Sequence, residues 1–244
     1  MSNLIKNITE FALYLVQGYI SEGDVVVDAT CGNGYDTLRL AQLSPAKLYA
    51  FDIQQEAVDA TRKRLREAGF AEKLKDGAIE VICDSHEHLT DHVKTFIQAA
   101  VFNLGYLPGG DHGVFTTPGV SVPAMRTALE LLRPGGVMTV CVYYGGPQGM
   151  AEKDAVLAFL TGLRDTRPIM SATETAYIKN TKLYDPRLHR KAGLVNGRRV
   201  PCDTAAFLCR APMVSPFFHT RMIVLSHPWP ILKATSGKKE DVDL

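Results

Sequence analysis

Polar residues able to hold or move charge stand at the ends of successive hydrophobic runs in this chain. Asp28 closes Val25-Val-Val, Asp52 closes Leu48-Tyr-Ala-Phe, Asp84-Ser85-His86 follows Ala78-Ile-Glu-Val-Ile-Cys83, and Asn103 follows Ala99-Ala-Val-Phe102. Runs of β-branched and aromatic residues bounded by turn residues read as buried strands. Directly after Asp28 comes Ala29-Thr-Cys-Gly-Asn-Gly34, with Gly32 and Gly34 one residue apart. Such a turn lets the backbone approach a ligand closely, so a strand, a glycine turn and a helix are expected in that order. If the strands lie parallel, their polar ends share one crevice, the place where open α/β sheets bind ligands.

The residue types narrow the ligand. A dinucleotide fingerprint needs a third glycine, but Gly34 is followed by Tyr35-Asp36-Thr37. No G-x-x-x-x-G-K-[ST] run occurs, so a P-loop is excluded. A carboxylate four residues before Gly32 suits a cation and would repel a phosphate. This points to S-adenosylmethionine, with Asp52 suited to its ribose hydroxyls and Asp84 or Ser85 to its adenine. His86 is a candidate to line that pocket or accept a proton, although a hydrogen-bonded place at a helix start serves equally well.

Asn103 opens the second candidate loop, Asn103-Leu-Gly-Tyr-Leu-Pro-Gly-Gly-Asp-His112. It resembles the [NDS]-P-P-[YF] loop of amino-group methyltransferases, with Leu104-Gly105 in place of the two prolines. An amide there can hold an acceptor nitrogen in line with a methyl group, Tyr106 can stack on a base, and Asp111 or His112 can take a proton from an amine. No cysteine lies in this loop, which disfavours methylation at a pyrimidine carbon, since that needs a thiolate. Cys31 sits in the glycine turn and is expected to pack. His88 and His92 are spaced for a metal on a helix, but no third ligand is evident, so a solvated face is expected and no metal site.

The elements that must position these groups follow from periodicity. Residues 3 to 20 form an amphipathic helix through Leu4, Ile8, Phe11, Leu15 and Tyr19, and helices are expected at Tyr35 to Leu43, Gln54 to Ala68, Val122 to Leu132 and Glu152 to Leu163. Strands alternating with them, the last at Val137 to Tyr143, predict a Rossmann-like α/β fold with a mainly parallel sheet and helices on both faces. Residues 1 to 170 are the expected core. Residues 171 to 232 are read as the C-terminal part of the same domain. Within it, 176 to 203 lacks periodicity and carries Lys179, Lys182, Arg187, Arg190, Lys191, Arg198 and Arg199, before a strand-like run from Phe217 to Leu225. The tail from 233 to 244 reads as disordered.

Apolar content of 46%, charged content of 22% and a net charge of +1 describe an ordinary globular protein, with any nucleic-acid surface confined to a local patch. The chain has five cysteines without a C-x-x-C, which fits reduced thiols. Neither a membrane span nor a signal peptide is legible, so a cytoplasmic location is expected.

With these residues in hand, the chain resembles the class I methyltransferase family labelled rRNA methylases, the MnmM or YtqB group, whose characterised bacterial members modify the tRNA wobble uridine. The resemblance covers residues 3 to 165 and rests on Asp28-Ala-Thr-Cys-Gly-Asn-Gly-Tyr-Asp-Thr37, Phe51-Asp-Ile-Gln54, Ser85-His-Glu87 and Ala100-Val-Phe-Asn-Leu-Gly-Tyr-Leu-Pro-Gly-Gly-Asp111. Tyr144-Gly, Gly149 and Glu152-Lys-Asp154 continue it. The resemblance implies methyl transfer from S-adenosylmethionine to the amine of 5-aminomethyl(-2-thio)uridine in the tRNA anticodon. It implies cofactor contacts from Asn33, Asp36, Asp52, Gln54, Ser85 and His86, and the rest of the turn, Asp28, Cys31, Gly32, Gly34 and Thr37, is expected to bind the cofactor with them. It also implies an acceptor loop at 103 to 111, and a homodimer is compatible. His112 and Gly146 depart from the family's usual Lys and His, and the closing Asn-Gln-x-x-Asn-x-Pro-Pro-Phe element survives only loosely, as Cys209 to Phe217. An rRNA or small-molecule acceptor, or a cofactor-binding scaffold without activity, remains open on the residues alone.

Overall fold

The computed structural model describes residues 8–105, 116–144, 146–166, 173–177, 194–195, 198–199 and 219–226. Tyr106, Asp111, His112, most of the basic segment and the tail from 233 to 244 lie outside them. The strands are β1 (Val25–Asp28), β2 (Lys47–Asp52), β3 (Ile79–Cys83), β4 (Ile97–Leu104), β5 (Leu132–Tyr144), β6 (Thr173–Tyr177), β7 (Leu194–Val195), β8 (Arg198–Arg199) and β9 (His219–Ser226). Seven of them form one sheet in the order β3-β2-β1-β4-β5-β9-β6, and β7 pairs with β8. The five strands from β3 to β5 run parallel, whereas β9 is antiparallel to both its neighbours.

Alternation along each strand sends side chains to opposite faces. On one face, Val26, Leu48, Ala50 and Val101 meet Leu13 and Val16 of α1 (Ile8–Gln17), Leu40 of α2 (Tyr35–Gln42), and Val58 and Leu65 of α3 (Gln55–Glu67). Further along the chain lies the single turn of α4 (Ala71–Lys75). On the other face, Val27, Phe51, Phe102 and Val140 meet Leu89 of α5 (Leu89–His92), Met125 and Leu129 of α6 (Pro118–Leu131), and Val156 and Leu160 of α7 (Gly146–Thr166). Burial on both faces explains why β1 and β4 read as continuous apolar runs.

Strand order turns over at β1. The chain steps outward through β2 and β3, then crosses back to β4 on β1's other side. The carboxyl ends of β1 and β4 therefore diverge into helices on opposite faces and leave a crevice between them.

Several boundaries differ from the sequence expectation. α6 starts at Pro118, because Thr117 is extended and proline fits the first helical position without a lost hydrogen bond. α7 starts at Gly146, a full turn and more before Glu152. Part of the segment read as lacking periodicity forms the β7–β8 ladder, whose strands flank Asn196-Gly197, a two-residue hairpin signal.

Candidate functional site

The glycine turn is built by backbone demands. Gly32 and Gly34 both take positive φ, 50° and 78°, a region that side chains disfavour. A Cβ on Gly34 would stand 2.7 Å from Thr61 Cα, so α3 presses directly on the turn. Thr61 Oγ1 also donates to the Gly32 carbonyl at 2.9 Å, and Arg64 Nε donates to the Asn33 carbonyl at 2.8 Å while its guanidinium stacks on Tyr35. The turn is thus fixed in shape before any ligand arrives.

Asp28, Asp36 and Asp52 gather around this turn. Asp28 is fully buried; its Oδ2 accepts the Thr37 hydroxyl at 2.6 Å and its Oδ1 the Thr30 amide. Burial, reinforced by the charge of Asp36, pushes its pKa up to about 7. Asp52 accepts the amides of Gly32, at 3.0 Å, and Gln54, at 2.9 Å, one on each oxygen. Burial raises the pKa of Asp36 and Asp52 as well. Among the described residues, no cation comes within ion-pairing distance of these carboxylates. A carboxylate has about four lone-pair positions, so Asp52 keeps acceptor capacity for hydroxyl donors after bracing the turn.

Asn103 stands across the crevice at the end of β4. Its backbone amide donates to Thr30 Oγ1 at 2.7 Å and its side-chain Nδ2 donates to Asp36 Oδ2 at 2.8 Å. The Asn103 Oδ1 is buried without a hydrogen-bond partner among the described residues. The resemblance assigns Asp36 to the cofactor; here its carboxylate orients Asn103 and joins the two loops.

His86 is buried against Phe102, ring centroids 5.8 Å apart, with Nδ1 3.1 Å from the Ala29 carbonyl. Burial lowers its pKa, so the neutral ring carries its proton on Nδ1 and leaves Nε2 a buried acceptor with no partner among the described residues. Ser85 caps the short 3-10 turn His86–His88, its Oγ accepting the Glu87 amide.

Other expected residues have partners within the fold. Asp84 is engaged by two histidines: His88 Nδ1 lies 2.8 Å from one carboxylate oxygen and His92 Nε2 lies 2.9 Å from the other. These contacts hold the Asp84 pKa down to about 2, and the two histidines are a brace on the β3 end rather than a merely solvated face. Cys31 is buried with its Sγ 3.6 Å from Thr61 Oγ1, so only its backbone can face the crevice. Thr37 gives its hydroxyl proton to Asp28 and supports that acid. Burial raises the thiol pKa of Cys31 and Cys141, which removes both as nucleophiles.

Thr30, Thr61 and Arg64 escape a reading by motif. Thr61 and Arg64 reach the Gly32 and Asn33 carbonyls from 29 and 31 positions away, and Thr30 Oγ1 meets the Asn103 amide from 73, so sequence spacing offers no signal.

A parallel sheet reversing at β1, a glycine turn running into α2 and acids ending β1 and β2 define the class I methyltransferase fold. The chain belongs to the family described as "putative rRNA methylase", whose model matches residues 48–184. A tRNA (mnm(5)s(2)U34)-methyltransferase, chloroplastic, of Arabidopsis thaliana is 34% identical over 165 residues, 65% of this chain. The match spans 60% of that relative's length. A "putative rRNA-methylase" from Clostridium thermocellum is 31% identical with a TM-score of 0.68, covering 91% of this chain and 98% of that one. A "putative methyltransferase" from Streptococcus mutans, solved in complex with SAH, is 29% identical with a TM-score of 0.62, covering 91% and 99%. No helix among the described residues is long and apolar enough to cross a membrane.

Proposed function

We propose that this chain transfers the methyl group of S-adenosylmethionine to the amine of 5-aminomethyl(-2-thio)uridine at the wobble position of tRNA. The observation that carries the reading is Asn103 Oδ1, a buried acceptor with no partner among the described residues, on an amide whose Nδ2 is held by Asp36. A buried acceptor without a donor carries a desolvation cost that an incoming N–H relieves. An exocyclic amine is such a donor, and its remaining lone pair is then turned away from Oδ1.

The residues present fit the cofactor. Buried carboxylates around a pre-shaped glycine turn, with no ion-pair partner among the described residues, favour a cationic ligand without phosphates, and the free lone pairs of Asp52 suit ribose hydroxyls. When bound, S-adenosylmethionine supplies an electrophilic methyl carbon on a sulfonium. The chain's own part is placement: Thr30 and Asp36 fix Asn103, Asn103 fixes the amine, and exclusion of water leaves the nitrogen its lone pair. Asp111 or His112 takes the amine's proton, and Tyr106 stacks on the base. Burial of Cys31 and Cys141 supports a nitrogen acceptor over a ring carbon. Lys179, Lys182, Arg187 and Arg190 supply phosphate contacts.

The reading of the acceptor rests on the Arabidopsis relative's stated activity and on that orphaned amide oxygen. Mass spectrometry of nucleosides from cells lacking this chain tests it. Unmethylated 5-aminomethyluridine derivatives should accumulate in tRNA, with rRNA nucleosides unchanged. A deficit confined to rRNA would overturn the tRNA assignment.

A further inference from the structure

Glu152 lies on α7, outside the cofactor crevice, and is 1% exposed. A carboxylate is rarely left so buried without strong partners. Its Oε2 accepts the Thr116 hydroxyl at 2.6 Å and its Oε1 accepts the Ser121 hydroxyl at 2.6 Å. Each hydroxyl has one proton, so both are committed to the carboxylate. Thr116 Oγ1 is thereby oriented as an acceptor, and the Gly105 amide donates to it at 2.8 Å. The Thr116 amide in turn donates to the Gly105 carbonyl at 3.1 Å. Gly105 is two residues beyond Asn103, and a Cβ there would stand 3.1 Å from Tyr143 Cβ, so β5 backs it closely.

The approach of α7 is what allows this. A Cβ on Gly149 would meet Tyr144 Cα at 2.9 Å, so the first turn of the helix lies directly on the end of β5. Glu152, one turn later, is pressed inward to where Thr116 and Ser121 converge.

We propose that Glu152 is a positioning residue for methyl transfer, acting through Thr116 and Gly105 to hold Asn103 in register with the acceptor. The inference rests on the function proposed above, and it concerns the end of β4 alone. Burial raises the Glu152 pKa, and the Thr116 and Ser121 hydroxyls that it accepts oppose that rise; a chain running from the Gly105 amide through Thr116 to this carboxyl group is stiffer than the same chain ended by a side-chain amide. Small displacements of an aligned nucleophile cost much rate, so turnover is more sensitive than binding.

The test uses the purified full chain with Glu152→Gln, Thr116→Val, Thr116→Ser and Ser121→Ala. Glu152→Gln and Thr116→Val should lower kcat roughly tenfold or more while cofactor Kd stays within about twofold. Thr116→Ser should restore most of kcat, since it returns the hydroxyl. Ser121→Ala removes a bond to the same carboxylate without touching Gly105, so it should lower the melting temperature and spare kcat.

Amide exchange at Gly105 supplies a readout independent of any substrate. Protection should fall in Glu152→Gln and Thr116→Val and persist in Ser121→Ala. If Gly105 protection is unchanged in Glu152→Gln, or if Ser121→Ala lowers kcat as much as Thr116→Val, Glu152 is only a folding residue and the inference fails. If wild-type protein methylates no tRNA but Gly105 protection follows the pattern given, the proposed acceptor fails and the Glu152 relay stands.

Discussion

Asp28 shows how burial and a neighbouring charge set the protonation of one side chain. Its pKa rises from 3.8 to about 7 because burial and Asp36 outweigh the hydrogen bonds from Thr37 and Thr30. For an acid raised in the folded state, the stabilising contribution is complete below the unfolded pKa and is lost as pH climbs through the folded one. Asp28 therefore lowers stability progressively between about pH 4 and pH 7. A cationic ligand favours the ionised form and drives the proton out. Affinity for S-adenosylmethionine should rise with pH up to about 7 and level off above it, with proton release seen by calorimetry in buffers of different ionisation enthalpy. Asp28→Asn should flatten the slope. A slope identical in Asp28→Asn would assign the titration to Asp36 or Asp52 instead.

The same residue scale shows what a motif conveys. The types at Asp28, Asp52 and Asn103 were readable because each ends an apolar run, and strand ends converge in a parallel sheet. The bond between Asp36 and Asn103 was not readable. It spans 67 positions of sequence and depends on how α2 and β4 approach one another.

Among the elements, the turn from β1 into α2 is the most constrained. Gly34 takes φ 78° and has Thr61 backbone 2.7 Å from where a Cβ would go. Gly34→Ala must shift α3 or the turn, and should destabilise the protein by about 1–3 kcal/mol, measured by urea unfolding. Its cofactor affinity should fall as well, because the displaced turn carries the Gly32 amide that Asp52 holds. Unaltered stability would mean that α3 yields at no cost.

The helices were legible where their apolar period was long. α3 was expected at nearly its observed length, whereas α4 and the 3-10 turn are too short for a period to register. α7 was expected six residues late because Gly146-Pro-Gln-Gly149 reads as a loop by composition. In the folded chain, packing of Gly149 on Tyr144 overrides that local preference.

Across the whole molecule, the sheet's two buried faces meet at β1 and β4, whose ends carry the site. Phe102 has no exposed surface, packs in the core on the α5–α7 face and stacks edge-on with His86, one residue before Asn103. Phe102→Ala should cost about 3–5 kcal/mol by chemical denaturation, since it opens a cavity beneath the crevice. A cost under about 1 kcal/mol would mean that the core collapses to fill it. Far from the crevice, Arg133 ties Asp24 at 2.6 Å and also bonds Gln98, whose Nε2 reaches the Tyr19 carbonyl at 2.7 Å. Fold class was open to the sequence because five parallel strands and their helices repeat one pattern. The antiparallel β9 was expected as a strand, but β6 was not, since Thr173-Glu-Thr-Ala-Tyr177 is short and contains no run of apolar residues.

The central claim is that the tip of β4 aligns an amine with the methyl donor. Purified protein should be given labelled S-adenosylmethionine and tRNA bearing 5-aminomethyluridine, and the digested nucleosides then separated and weighed. Wild-type protein should yield the N-methylated nucleoside, and Asn103→Ala should bind the cofactor normally while losing that product. Full product from Asn103→Ala, or no methylated amine from wild-type protein that binds the cofactor, would contradict the account.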